Sequence, residues 1–150
     1  MNRGLVLLAD DDADDRMLFA DAFSQCTSEL QLLMVPNGQE VMDYLQNITN
    51  SLPCLVVLDY NMPFMSGLDV LKKLNKQNRF ATMPIVMLST SSQIAAECLN
   101  DGAKYCFVKP TTFEELLSTT KKILEFSVNF CHPAKSVRET LATNFATFTR

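Results

Sequence analysis

Leu55-Val56-Val57-Leu58 is a run of four apolar residues that halts at a carboxylate, Asp59, and gives way at once to Asn61, Pro63 and Gly67. It is apolar on both alternating faces and includes two β-branched residues, so it reads as a strand buried on both sides. Pro63 lacks the amide that a central strand needs, so a loop follows Asp59. The design recurs along the chain. Leu5–Ala9 runs into Asp10-Asp11-Asp12, and residues 30–35 run into Pro36-Asn37-Gly38. Residues 85–88 run into Ser89-Thr90-Ser91-Ser92, and Tyr105–Val108 runs into Lys109-Pro110.

Helical patterns fill the intervals. The first spans about residues 13–25, with Met17, Leu18, Ala20, Ala22 and Phe23 available for its apolar face. Asp14 and Asp15 suit its first turn, where the helix dipole favours negative charge. Further helices are predicted over residues 39–46, 68–78, 94–99 and from 113 through 124. A βα unit repeated five times implies a parallel sheet covered on both faces. Right-handed crossovers leave few topologies, and a common order for five such strands is 2-1-3-4-5, a flavodoxin-like three-layer α/β sandwich. In that order the first and third strands are neighbours. Asp10 and Asp11 then lie beside Asp59, and Ser89 and Lys109 end the next two strands on the same edge.

Composition narrows the class. A chain of 150 residues with 47% hydrophobic and 20% charged residues is one globular domain with a full core. A net charge of −4 argues against nucleic-acid binding, because phosphate contacts need a basic face. No apolar run reaches membrane-spanning length, and the N-terminal run ends in three acids, unlike a signal peptide. Five cysteines without CxxC spacing read as reduced core residues of a cytoplasmic protein, not as a disulfide framework or a zinc site.

Three carboxylates brought within a few ångströms repel one another, and a hard divalent cation is their natural counter-charge. Mg²⁺ fits, with Mn²⁺ as an alternative, because it takes one or two carboxylates and fills its remaining positions with water and phosphate oxygens. A hydroxyl (Ser89) and an ammonium (Lys109) at the same edge can hold the other oxygens of a phosphoryl group. The set provides an aspartate nucleophile, a metal and two phosphate clamps, which is what an acyl-phosphate requires. Each residue alone has a plainer explanation: Asp10–Asp12 as a helix-capping loop, Ser89 as a turn residue. Their joint placement at strand ends is what points to a site.

The sequence resembles the response-regulator receiver domains of two-component signalling over about residues 4–128. Asp10-Asp11 looks like the family's metal-binding acidic pair. Asp59 through Gly67 (Asp-Tyr-Asn-Met-Pro-Phe-Met-Ser-Gly) resembles the phospho-acceptor loop. Asn61 stands where the family gives a backbone carbonyl to the metal. Ser89 matches the switch hydroxyl, and Lys109-Pro110 the Lys-Pro pair whose peptide bond is usually cis. The resemblance implies that Asp59 accepts a phosphoryl group from a histidine kinase or a histidine phosphotransfer protein. The domain would promote only that transfer and its own later dephosphorylation. A Mg²⁺-dependent phosphohydrolase, or a receiver-like module that is never phosphorylated, is the alternative.

Two positions depart from the family. Cys106 occupies the place of the inward-swinging aromatic, with Tyr105 and Phe107 on either side and, by strand alternation, on the other face. Switching is therefore expected to centre on Ser89 and Cys106 without a moving ring. Thr90 follows the switch hydroxyl where Ala or Gly is usual. Residues 1–128 are assigned to the receiver and 129–150 to a C-terminal extension with no second core. Output is expected through protein binding by the fourth helix, fifth strand and fifth helix, around Lys104, Tyr105 and Phe107. In the extension, Ser136-Val137-Arg138-Glu139 has capping-box spacing. Val137, Leu141, Phe145 and Phe148 then form one helical stripe, suggesting a short helix and a homodimer contact.

Overall fold

Each predicted strand forms. β1 (Leu5–Ala9), β2 (Gln31–Val35), β3 (Leu55–Asp59), β4 (Ile85–Ser89) and β5 (Tyr105–Val108) alternate with α1 (Ala13–Cys26), α2 (Gly38–Gln46), α3 (Gly67–Asn75), α4 (Ser92–Asn100) and α5 (Phe113–Cys131). The strands lie parallel in the order β2-β1-β3-β4-β5. The computed structural model describes residues 4–131, with side chains 129 and 130 left out. The proposed tail helix with Val137, Leu141, Phe145 and Phe148 lies outside the described residues.

Burial follows strand parity. Leu7, Ala9, Val56, Leu58 and Met87 join one core with Val41, Leu45, Val70, Leu71, Leu74 and Cys98 from α2, α3 and α4. Val6, Leu8, Leu55, Val57, Val86 and Leu88 join the other with Phe19 and Phe23 of α1 and Ile123 and Leu124 of α5. Fully burying one such aliphatic side chain is worth about 1.5–3 kcal/mol. A one-residue slip would exchange the faces of a whole strand, so the two-sided core fixes the register. That register pairs Ala9 with Leu58, Asp59 with Leu88 and Ser89 with Val108. The residues after β1 and at the ends of β3 and β4 therefore meet at one edge.

Local chemistry sets the helix starts. Asp12 caps α1, its Oδ1 accepting from the amides of Asp14 (2.9 Å) and Asp15 (3.2 Å). Ser66 and Asp69 form a reciprocal capping box at α3, and Ser91 caps α4. In α1, Ala22 and Phe23 are buried as expected, but Met17 (67%) and Leu18 (44%) are exposed and Phe19 completes the buried stripe. α3 ends at Asn75, and a short 3₁₀ turn over Asn78–Phe80 takes the place of its predicted last turn. Buried Phe80 closes that end of the core.

Two expectations are corrected. Cys54, just before β3, and Cys131, at the end of α5, are joined as a disulfide, so the five cysteines are not all free. α5 continues past Leu124 to carry Cys131 to the sheet edge where Cys54 lies. The Lys109–Pro110 peptide bond is trans.

Candidate functional site

The carboxyl edge of the sheet gathers Asp10, Asp11, Asp59, Ser89 and Lys109. Asp10 and Asp59 are 3% exposed and Ser89 is fully buried, whereas Asp11 is exposed. One carboxylate oxygen each from Asp10, Asp11 and Asp59 lies within 4.8 Å of the others, a grouping that can hold a divalent cation. Lys109 reaches across from the end of β5. Its Nζ donates to Asp10 Oδ2 at 3.0 Å and to Asp59 Oδ2 at 3.1 Å, and forms an ion pair with Asp15 Oδ2 at 2.8 Å.

Asp10 is further fixed by its own backbone surroundings. The Asp12 amide donates to its Oδ1 at 2.9 Å, and Arg16 Nη1 donates to its carbonyl at 2.7 Å. The Asn61 amide approaches Asp59 Oδ1 at 3.4 Å. After Asp59 the chain doubles back: the Tyr60 amide donates to the Leu88 carbonyl at 2.8 Å, and the Gly67 amide to the Tyr60 carbonyl at 3.0 Å. A Cβ at position 67 would strike the Asp59 carbonyl oxygen, so only glycine lets α3 start so close to the carboxylate. Within this loop Met62 is buried, whereas Phe64 is fully exposed with φ of 67°. The Met65 amide donates to the Pro63 carbonyl at 2.8 Å, which makes Phe64 the centre of a γ-turn of the rare positive-φ kind.

The charges pull in opposite directions. Burial, and then the nearby Asp10 charge, push the Asp59 carboxyl up to about 6, against the pull of Lys109. Burial works against the Lys109 ammonium, but its contacts with the Asp15, Asp10 and Asp59 carboxylates outweigh that and hold its pKa above the ordinary lysine value. The ammonium is thus a fixed positive charge, and Asp59 is a carboxylate of raised basicity beside it.

The Ser89 hydroxyl donates to the Ser91 carbonyl at 2.8 Å. Cys106 packs into the core that holds Cys98 and Ile94. Burial raises the Cys106 thiol, against the smaller opposing influence of the polar groups of Ser89 and Cys98. Tyr105 and Phe107 face the opposite core, where Tyr105 stacks on Phe126 at 3.7 Å between ring centroids. Thr90 is exposed at the rim. Two participants were not legible as site residues in the sequence: Asp15, which looks like an ordinary first-turn acid, and Arg16. Only the approach of Lys109 from 94 positions along the chain assigns Asp15 to the site.

Comparison with known proteins agrees with this geometry. Residues 6–121 match the family described as response regulator receiver domain. The chain is 31% identical over 121 residues to the chemotaxis protein CheY1 of Helicobacter pylori, covering 79% of this chain and 95% of the relative. It is also 31% identical over 113 residues to the two-component response regulator-like PRR37 of rice, covering 74% of this chain but only 15% of that longer protein. Among solved structures, the phosphorylated cyanobacterial phytochrome response regulator RcpA superposes with a TM-score of 0.77 at 25% identity, over 89% of this chain and 98% of that one. The Mn²⁺-bound form of response regulator Rcp1 superposes with a TM-score of 0.74 at 22% identity, over 82% and 93%.

Proposed function

We propose, from the premise that the chain belongs to the response regulator receiver domain family and is a phosphoryl-accepting signalling switch, that Asp59 is its phospho-acceptor and Mg²⁺ its metal. The observation that carries this is the Lys109 ammonium bridging the buried Asp10 and Asp59 carboxylates at adjoining strand ends. Asp10, Asp11, Asp59 and the Asn61 backbone carbonyl would hold the cation, Mg²⁺ or Mn²⁺. When bound, it would neutralise these acids and the phosphoryl oxygens.

In the transfer, an Asp59 Oδ forms a bond to phosphorus as the bond between phosphorus and the donor histidine nitrogen breaks. The electron pair of that bond stays on the imidazole. Lys109 offsets charge on the phosphoryl oxygens, and Ser89 turns its hydroxyl from the Ser91 carbonyl toward one of them. Cys106 carries no ring, so switching proceeds without an inward aromatic. The donor is a histidine kinase or a histidine phosphotransfer protein. Output is by protein binding on the face of α4, β5 and α5, where Leu99 and Val108 are exposed. No described helix is long and apolar enough to cross a membrane, and a cytoplasmic location is part of the proposal.

Incubation with Mg²⁺ and acetyl phosphate should add one phosphate by mass to the wild-type chain and none to Asp59→Asn. Full-stoichiometry labelling of Asp59→Asn would remove Asp59 from the role. Steady phosphate release from unrelated esters would instead identify a phosphohydrolase.

A further inference from the structure

We propose that Asp15 is a positioning residue for Lys109, giving the ammonium a partner when a divalent cation occupies the acidic cluster. The idea rests on the metal-binding part of the reading above and is independent of phosphoryl transfer.

The Lys109 ammonium forms ion pairs with three carboxylates and donates hydrogen bonds to two of them, Asp10 and Asp59. Two of those carboxylates, Asp10 and Asp59, also belong to the group able to hold a metal; Asp15 does not. Lys109 and a divalent cation therefore share two carboxylates and repel one another at short range. The Asp15 contact is the shortest of the three at 2.8 Å. It is also the accessible one: the Asp15 side chain is 39% exposed, against 5% and 4% for Asp10 and Asp59. A cavity of about 130 Å³ opens beside the pair, lined by Asp15, Leu18, Phe19, Lys109, Phe113 and Leu116. The ammonium has space to draw back toward Asp15 without leaving its last counter-charge. Asp14, the adjoining acid on α1, is exposed and makes no ion pair among the described residues, so it serves as a control for general surface charge.

The test is calorimetric titration with Mg²⁺ alone, without any phosphodonor. The proteins are wild type, Asp15→Asn, Asp15→Glu, Asp14→Asn, Lys109→Met and the Asp15→Asn/Lys109→Met double variant. Asp15→Asn should weaken Mg²⁺ binding about threefold beyond Asp14→Asn, on the scale of one partly exposed ion pair. Asp15→Glu should recover most of the loss. In the Lys109→Met background, Asp15→Asn should cost no more than Asp14→Asn does in the wild type. Equal effects of Asp15→Asn and Asp14→Asn would overturn the proposal, as would a loss that persists without Lys109. If melting curves show that Lys109→Met does not fold, the contrast of Asn, Glu and Asp14→Asn decides alone. A wild-type chain that binds no Mg²⁺ would bring down the metal reading itself, which is a different result from unchanged binding in Asp15→Asn.

Discussion

The Lys109 amide donates to the Ser89 carbonyl at 2.6 Å, so the two residues that flank Asp59 from the ends of β4 and β5 are held together through their backbones. Rearrangement at Ser89 is therefore a rotation of its hydroxyl, not a slip of strands. Ser89→Ala leaves the Ser91 carbonyl without its 2.8 Å donor. Urea denaturation should show a loss of about 0.5–1.5 kcal/mol. The backbone pairing keeps Lys109 in place, so the variant should still be labelled by acetyl phosphate.

Asp59 gives a pH signature. Its folded carboxyl titrates at about 6, raised by burial first and Asp10 second, whereas an unfolded aspartate titrates near 3.9. The folded state thus binds this proton more tightly. Its contribution to stability is full below about pH 4, declines as pH rises, and is lost above about pH 6. Asp59→Asn never ionises and escapes the decline. Without metal it should match wild type near pH 4 and exceed it at pH 7.5 by on the order of 1 kcal/mol in denaturant titrations. No divergence with pH would refute the assigned environment.

Phe64 sits at φ 67° with its ring in solvent. A non-glycine residue held there costs on the order of 1–3 kcal/mol. Glycine has no Cβ penalty at positive φ, and no buried contact is lost, so Phe64→Gly should raise the melting temperature by a few degrees, for a gain of about 0.5–1 kcal/mol. A lowered melting temperature would mean that the exposed ring is needed for the fold.

The Cys54–Cys131 bridge closes a sequence separation of 77. Loop-closure entropy for that length gives a stabilisation of about 4.5 kcal/mol, which Cys131→Ser should forfeit in guanidinium titrations. Thiol titration of the denatured, unreduced wild-type chain should find three free cysteines, Cys26, Cys98 and Cys106, and five after reduction. Five before reduction would refute the bridge.

The elements that carry the strongest local signals were legible. The apolar runs ending at Asp10, Asp59, Ser89 and Lys109 could be read as strands because period and length agree there, and the sheet order followed from parallel crossovers. What escaped reading depends on distance in the chain or on residues acting against type. Cys54 and Cys131 share no motif, and an odd cysteine count cannot reveal pairing. Asp15 satisfies a helix-dipole rule locally, which hides its second partner. Met17 and Leu18 look like core by hydropathy, but the α1 stripe that faces α5 is set by Phe19, Ala22 and Phe23. Phe64 is a residue type that does not favour positive φ, so nothing in its identity announces the turn.

The bridge also divides the site topologically. The covalent ring from Cys54 to Cys131 contains Asp59, Asn61, Ser89 and Lys109, whereas Asp10, Asp11 and Asp15 belong to an arm outside it. A single cut in the connection between α2 and β3 would leave that arm, with β1, α1, β2 and α2, joined to the ring by non-covalent contacts alone: the β1–β3 pairing, core packing and the Lys109 ion pairs. Asp59 and Lys109 would stay on one covalent piece, with Asp10 and Asp11 of the proposed metal site on the other. Metal affinity in such a nicked protein would then report how firmly the two pieces are docked.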